Sequence, residues 1–234
     1  MAKTSRQARA NSEARAATES FQRARRPEQK EQRREAILAA AADLARRDGV
    51  RAVSLSDIAR AVGIHKSALL RYFETREQIF LELTAREWRD WEAELTAAFG
   101  EIAPGDADAI ATTLARGFVS RPLLCDLLPH AALNLERHAS IDAVRAYKRT
   151  STGAVAAVAD ALAGPLPELD EEERREAVSY VALLAGSMYQ IATPPEPLVR
   201  LYEEEPHLGH FLLDFEGRLT RAASVLIAGL GALG

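Results

Sequence analysis

Residues 53–73 read VSLSDIARAVGIHKSALLRYF, two short helical periods on either side of a glycine. Ser54 stands three residues before Asp57, the spacing at which a hydroxyl caps a helix and a carboxylate reaches back to it. Behind that cap, Leu55, Ile58, Ala59 and Val62 recur at helical spacing and predict a buried stripe. Gly63 stops the helix after little more than two turns, and a second one is expected to begin near His65 or Lys66. The second helix has two sides. Leu69 and Phe73, four residues apart, face back towards Ile58, whereas His65, Lys66, Ser67, Arg71 and Tyr72 are too polar for a core and form an outward face rich in hydrogen-bond donors.

Working outward, Ile37, Ala41, Leu44 and Ala45 mark one face of a preceding helix over about 30–47, which Asp48-Gly49 should end. Thr75 with Gln78 has capping-box spacing and opens a long amphipathic helix through Phe80, Leu83, Trp88, Trp91 and Leu95. Three helices and a tight glycine turn therefore occupy residues 30–73. That is a helix-turn-helix unit with the charge sign that DNA requires.

Across Arg34 to Leu83 the segments AILAAAADLARRDGV, VSLSDIARAVGIHKSALLRYF and ETREQIFLEL resemble the TetR family of transcriptional regulators. The order of apolar, glycine and aromatic positions over some 50 residues carries the resemblance. It implies an all-α fold, with an N-terminal three-helix DNA-binding domain followed by a helical ligand-binding and dimerisation domain. The implied partners are a double-stranded DNA operator, a second copy of the chain and a small-molecule effector, with no cofactor and no metal. Three positions depart from the family's usual pattern. His65 stands where Ser or Thr is more common, Ala68 where Thr is frequent, and Leu70 where Tyr is very frequent.

Physical chemistry assigns roles to the same residues. Lys66 and Ser67 occupy the first turn of the second helix, where a helix entering the major groove meets base edges, and Ala68 is suited to a thymine methyl. Arg71 and Tyr72, a turn later, are placed for phosphates, as are Ser54 at a helix start and Arg76. His65 is a further candidate contact.

Charge is distributed to match. The whole chain has net charge −4, yet residues 1–76 contain 17 Lys/Arg against 9 Asp/Glu, and residues 77–234 contain 13 against 25. A basic first third on an acidic body points to a polyanion partner for the former. Residues 1–28 have Phe21 as almost their only large apolar side chain, too little burial to offset ordering, and are expected to be a disordered basic arm. The DNA-binding domain then spans 29–76 and the regulatory domain 77–234. The N-terminus has no apolar signal-like stretch, and no run of about 18 apolar residues occurs, so a cytoplasmic protein without a membrane partner is expected.

Beyond a break at residues 99–105 only helical periods are found, at about 106–119, 121–137, 139–163, 169–192, 197–204 and 208–231, with Pro129 expected to kink or end the second. The last long helix repeats Phe211, Phe215, Leu219, Ala222, Val225, Leu226 and Gly229. The resemblance places dimerisation on this helix and on the one with Tyr180, Leu184 and Met188, and the selected interface residues are these three with Phe215, Leu219, Ala222 and Leu226. For an effector pocket the candidates are Trp91, His130, Asn134 and Tyr147.

Two other function classes stay open at this level. His130 and His138 with Glu136 or Cys125, or Glu205 with His207 and His210, could hold a metal for an enzyme, although neither group has HExxH spacing. A basic-arm interaction module is the third. Cys125, the single cysteine, cannot form an intramolecular disulfide and is expected to be a small buried hydrophobe.

Overall fold

A computed structural model describes residues 28–209 and 214–232. Residues 1–27, which contain nearly all of the expected basic arm, lie outside the described residues, as do His210 and Phe211; Glu28 already belongs to the first helix.

The chain begins with α1 (28–48), and Gly49, at φ +81°, turns it in the left-handed conformation that glycine accepts without steric cost. Next come α2 (Leu55–Ala61) and α3 (Lys66–Leu69), separated by Gly63 at φ +69°. The expected capping box at Ser54 is complete: its hydroxyl accepts from Asp57 N, while the Asp57 carboxylate accepts from the Ser54 backbone N–H at 3.0 Å. Ile37, Ala41, Ala45, Ile58, Ala59, Leu69 and Phe73 are buried between the three helices, in a core continuous with that of the body.

The long helix α4 (Arg76–Phe99) starts at Thr75, whose hydroxyl accepts from Gln78 N at 3.1 Å. Gln78 returns its side-chain oxygen to Glu74 N at 2.7 Å rather than to the cap residue itself. This helix joins both parts of the protein. At its start, Glu82 pairs with Arg34 of α1, and Arg86 holds Glu35 of α1 through two bonds of 2.6 Å. Further along, Trp88, Trp91, Leu95 and Phe99 enter the core of the body.

The body comprises α5 (Ala107–Val119), α6 (Pro122–His130), α7 (Ile141–Ala161), α8 (Glu171–Ala192), α9 (Glu196–Glu204) and α10 (Phe215–Leu230), with no strand among the described residues. Helix α4 packs along α7, α10 along α5 and α8, and α6 along α8. The expected stop at Pro129 takes a definite form: α6 ends one residue later and a π-helical turn follows over Ala131–Leu135. Gly186 of α8 permits α6 to approach there, since a Cβ at that position would lie 3.0 Å from Leu128 Cβ and 3.1 Å from Pro129 Cδ.

Candidate DNA-binding face and effector cavity

Helix α3 is anchored by Leu69 and Phe73, both essentially without solvent exposure, and this fixes which side chains face outward. Ser54, His65, Lys66, Ser67, Leu70 and Arg71 are exposed, while Ala68 and Tyr72 are half-buried. His65 is the N-cap of α3, but its side chain makes no capping hydrogen bond, so its ring leaves the helix start uncapped. The exposed residues Arg51 and Arg60 add positive charge to the same small domain, with Arg60 paired to Asp57 at 3.1 Å.

Arg76 requires a correction. Instead of reaching out to phosphate, its guanidinium donates to the carbonyls of Val50 and Val53, pairs with Glu77 at 3.2 Å and lies 4.5 Å from the centroid of the Phe80 ring. It ties the α1–α2 loop to the start of α4. Arg34 has a similar role, donating to Tyr72 O at 2.7 Å and stacking 4.3 Å from the Phe73 centroid. Neither role is visible in the local sequence, because the carbonyls that these guanidinium groups bind are more than 20 residues away.

A cavity of about 890 Å³ lies between α6 with its π turn, α7 and α8, over Trp88 of α4. Leu128, Pro129, Ala131, Ala132, Leu133, Val155 and Leu183 give it a mainly apolar wall, and Tyr147, Ser151 and Thr152 contribute hydroxyls from α7. Its charged lining residues already have counter-ions. Lys148 Nζ is 2.8 Å from Glu136, and Arg175 is 2.6 Å from Glu171. Burial raises the pKa of the Tyr147 phenol, which therefore stays neutral at ordinary pH.

Of the four expected pocket residues, only Tyr147 lines this cavity. Trp91 is fully buried against Trp88 and Phe118, with ring centroids 5.0 Å away in each case, and it is Trp88 that borders the cavity. His130 and Asn134 do share a helical face, at 3.4 Å from each other, but they line a separate crevice with Val50, Arg51, Arg76, Glu77 and His138. That crevice is the seam between the DNA-binding domain and the body.

At this seam the residue that sequence reading missed is Asp126. One carboxylate oxygen accepts from the Val50 backbone N–H at 2.7 Å, and the other accepts from Gln190 Nε2 at 2.9 Å. His130 Nε2 is 3.8 Å from the latter oxygen. Desolvation lowers the pKa of His130, and although Asp126 opposes this, Arg76 and Arg51 add to it. Val50 is thus gripped from both sides, its N–H by α6 and its carbonyl by α4.

Among the described residues no cluster of three or more His, Cys, Asp or Glu is able to hold an ion, so His130 and His138 do not assemble with Glu136 or Cys125, whereas the grouping of Glu205 and His207 with His210 includes a residue outside the described ones. His138 Nδ1 instead lies 2.9 Å from Asn134 O. Cys125 is buried, as expected, and burial pushes its thiol up to about 12.

Helix α8 exposes Tyr180, Ile191 and, at the cavity, Leu183, and α10 exposes Val225 at 64%. Leu184, Met188, Ala222 and Leu226 are half-buried beside them. Two expected interface residues already have partners within the subunit. Leu219 is fully buried in its own subunit, and the Phe215 ring packs 6.0 Å from Tyr189.

Together, a three-helix head with an outward basic helix and an all-helical body with an apolar cavity define the class of helix-turn-helix DNA-binding transcriptional regulators. Residues 37–83 match the family described as "Bacterial regulatory proteins, tetR family", and residues 85–233 match "Tetracyclin repressor-like, C-terminal domain". The chain belongs to the TetR family.

Solved structures share the fold. The fatty acid degradation regulator FadR from Bacillus halodurans is 13% identical, with a TM-score of 0.53 over 84% of this chain and 98% of its own. The TetR family transcriptional regulator PfmR from Thermus thermophilus is 20% identical, with a TM-score of 0.50 over 83% and 98%. A TetR transcriptional regulator from a Rhodococcus species is 20% identical, with a TM-score of 0.51 over 85% and 97%. No curated protein matches the sequence. Among the described residues, no helix is long and apolar enough to cross a membrane.

Proposed function

We propose that the protein is a homodimeric repressor that reads a pseudo-palindromic operator through α3 and is released when a small molecule enters the cavity between α6, α7 and α8. The observation that carries this reading is the double duty of α6 and its π turn. Leu128, Pro129 and Ala131 border the cavity, and Asp126, two residues before Leu128, holds the Val50 N–H of the DNA-binding domain. A ligand that displaces the α6 wall therefore moves the grip on the head directly, which supplies the differential contact a ligand needs to shift a conformational equilibrium.

In this reading Lys66 and Ser67 meet base edges, Arg71, Tyr72 and Ser54 meet phosphates, and His65 and Ala68 modify the reading helix. Leu70, 44% exposed and unable to donate, leaves Arg71 and the N-terminal segment to supply phosphate contacts. The apolar faces of α8 and α10, with Tyr180, Leu183, Leu184, Met188, Ile191, Ala222, Val225 and Leu226, form the twofold contact. Paired heads can then address half-sites about 34–36 Å apart, or multiples of that spacing.

The test uses an operator selected from a random duplex pool. Lys66→Ala is expected to weaken that operator by about 1–3 kcal/mol and to relax choice at one base pair per half-site, whereas deletion of residues 1–27 weakens all sequences and flattens the salt dependence. Equal weakening of operator and random duplex by Lys66→Ala would remove α3 as the reading element. A monomer by sedimentation at micromolar concentration would remove the dimer.

A further inference from the structure

The cavity also carries information about the charge of what it accepts, an inference that rests on the effector reading above. Every ionic group in its wall is already neutralised within the protein: Glu136 by Lys148 at 2.8 Å, and Arg175 by Glu171 at 2.6 Å. A charged ligand would enter a mainly apolar space whose charged side chains already have partners and, being partly exposed, would repay little of its desolvation. Two of the three α7 hydroxyls are occupied as well. Thr152 donates to Lys148 O at 2.6 Å, and Ser151 donates to the same oxygen at 3.3 Å.

One buried donor stands apart. Trp88 is 4% exposed, and its buried indole N–H has no hydrogen-bond partner among the described residues. It lies beside the Tyr147 phenol at the α4 edge of the cavity without a properly directed bond to it. A buried unpaired donor is unfavourable, and an acceptor brought by a ligand would relieve it. At about 890 Å³ the space is at the upper end of the roughly 300–1,000 Å³ typical of small-molecule sites.

We infer that the cavity takes an uncharged, mainly apolar molecule bearing one hydrogen-bond acceptor, with that acceptor seated at the Trp88–Tyr147 edge. The acceptor decides orientation, and the apolar wall supplies most of the affinity.

Four probes of one shape test this by equilibrium dialysis against the full-length protein at neutral pH: acetylnaphthalene (uncharged, with an acceptor), ethylnaphthalene (uncharged, without one), naphthoate and protonated naphthylmethylamine. Acetylnaphthalene is expected to bind tightest, with ethylnaphthalene roughly fivefold weaker and both ions weaker by about tenfold or more. Trp88→Phe, which keeps an aromatic ring and removes the N–H, should bring the two uncharged probes together, and Ala156→Phe, which fills part of the cavity, should weaken both. If either ion binds as well as acetylnaphthalene, the inference of an uncharged ligand is overturned while the cavity remains a ligand site. If none of the four binds, or if Ala156→Phe leaves binding unchanged, the effector reading of the cavity falls with it.

Discussion

Replacing Asp126 with alanine puts the most strain on the link between head and body. Val50 is 1% exposed, and its N–H donates to Asp126 Oδ2 at 2.7 Å, a charge-assisted bond shielded from water. Alanine leaves that N–H buried and unpaired, which costs about 1–3 kcal/mol, and it also frees Gln190, whose partly exposed bond adds about 1 kcal/mol. The two together give a loss of about 2–4 kcal/mol. Asp126→Asn keeps an acceptor for Val50 and should lose about 1 kcal/mol. The assays are urea denaturation and hydrogen exchange at the Val50 amide, where the alanine variant should lose protection and the asparagine variant should retain most of it. If Asp126→Ala stays within about 0.5 kcal/mol of wild type with the Val50 amide equally protected, the grip of α6 on the head is not a working contact.

Three other outcomes follow from the same geometry. Arg76→Met strips the donors from the Val50 and Val53 carbonyls while keeping an unbranched stem over Phe80, and should destabilise the protein by about 2–4 kcal/mol in chemical denaturation. If Arg76 were instead a phosphate contact, this variant would lose DNA affinity and leave stability unchanged. Gly186→Val forces side-chain atoms against Leu128 and Pro129, and a loss of about 1–3 kcal/mol with a separated α6–α8 contact is expected; an unchanged melting temperature would show that the approach is not tight. For His130, burial lowers the folded pKa below its ordinary 6.5, so its contribution is complete above pH 6.5 and is lost as pH falls through 6.5 towards the folded value. Stability should therefore drop more steeply for wild type than for His130→Gln between pH 7 and 5.5, by at most about 1.4 kcal/mol per pH unit, and identical slopes would refute it.

How much of this was legible in the sequence follows from how local each cause is. Ser54 with Asp57, Gly49, Gly63 and the Leu69–Phe73 pair act within a few residues of one another, and each lies in the structure where its spacing predicts. Most helices of the body were equally readable, including the interruption at Pro129, because periodicity and proline geometry are local properties; the last one, expected from about 208, instead starts at Phe215, where Asp214 at φ +92° caps it.

The cavity was not readable. Trp88 and Trp91 are three residues apart on one helix, and only the positions of α6, α7 and α8 decide that Trp88 borders the space while Trp91 is sealed behind it against Phe118. His130 and Asn134 were correctly seen as sharing a face, but that face turns towards Arg76 and Val50, not into the cavity. Arg76 misled for the opposite reason. A basic residue in the first turn of a helix next to a DNA-reading unit fits a phosphate contact, and only the distant carbonyls that occupy it reveal a structural role. Leu219 is similar: the apolar stripe of α10 is wide enough to serve both the subunit core and an outer face, and spacing alone does not divide the two.

The central claim, that α3 reads DNA sequence in a dimeric regulator, is tested most directly by competition between the selected operator and random duplex at physiological salt. The account predicts a pseudo-palindromic operator, bound as one dimer, at roughly 10³-fold or more higher affinity than random duplex. Equal affinity for operator and random duplex, with no sequence enriched from the pool, would contradict it.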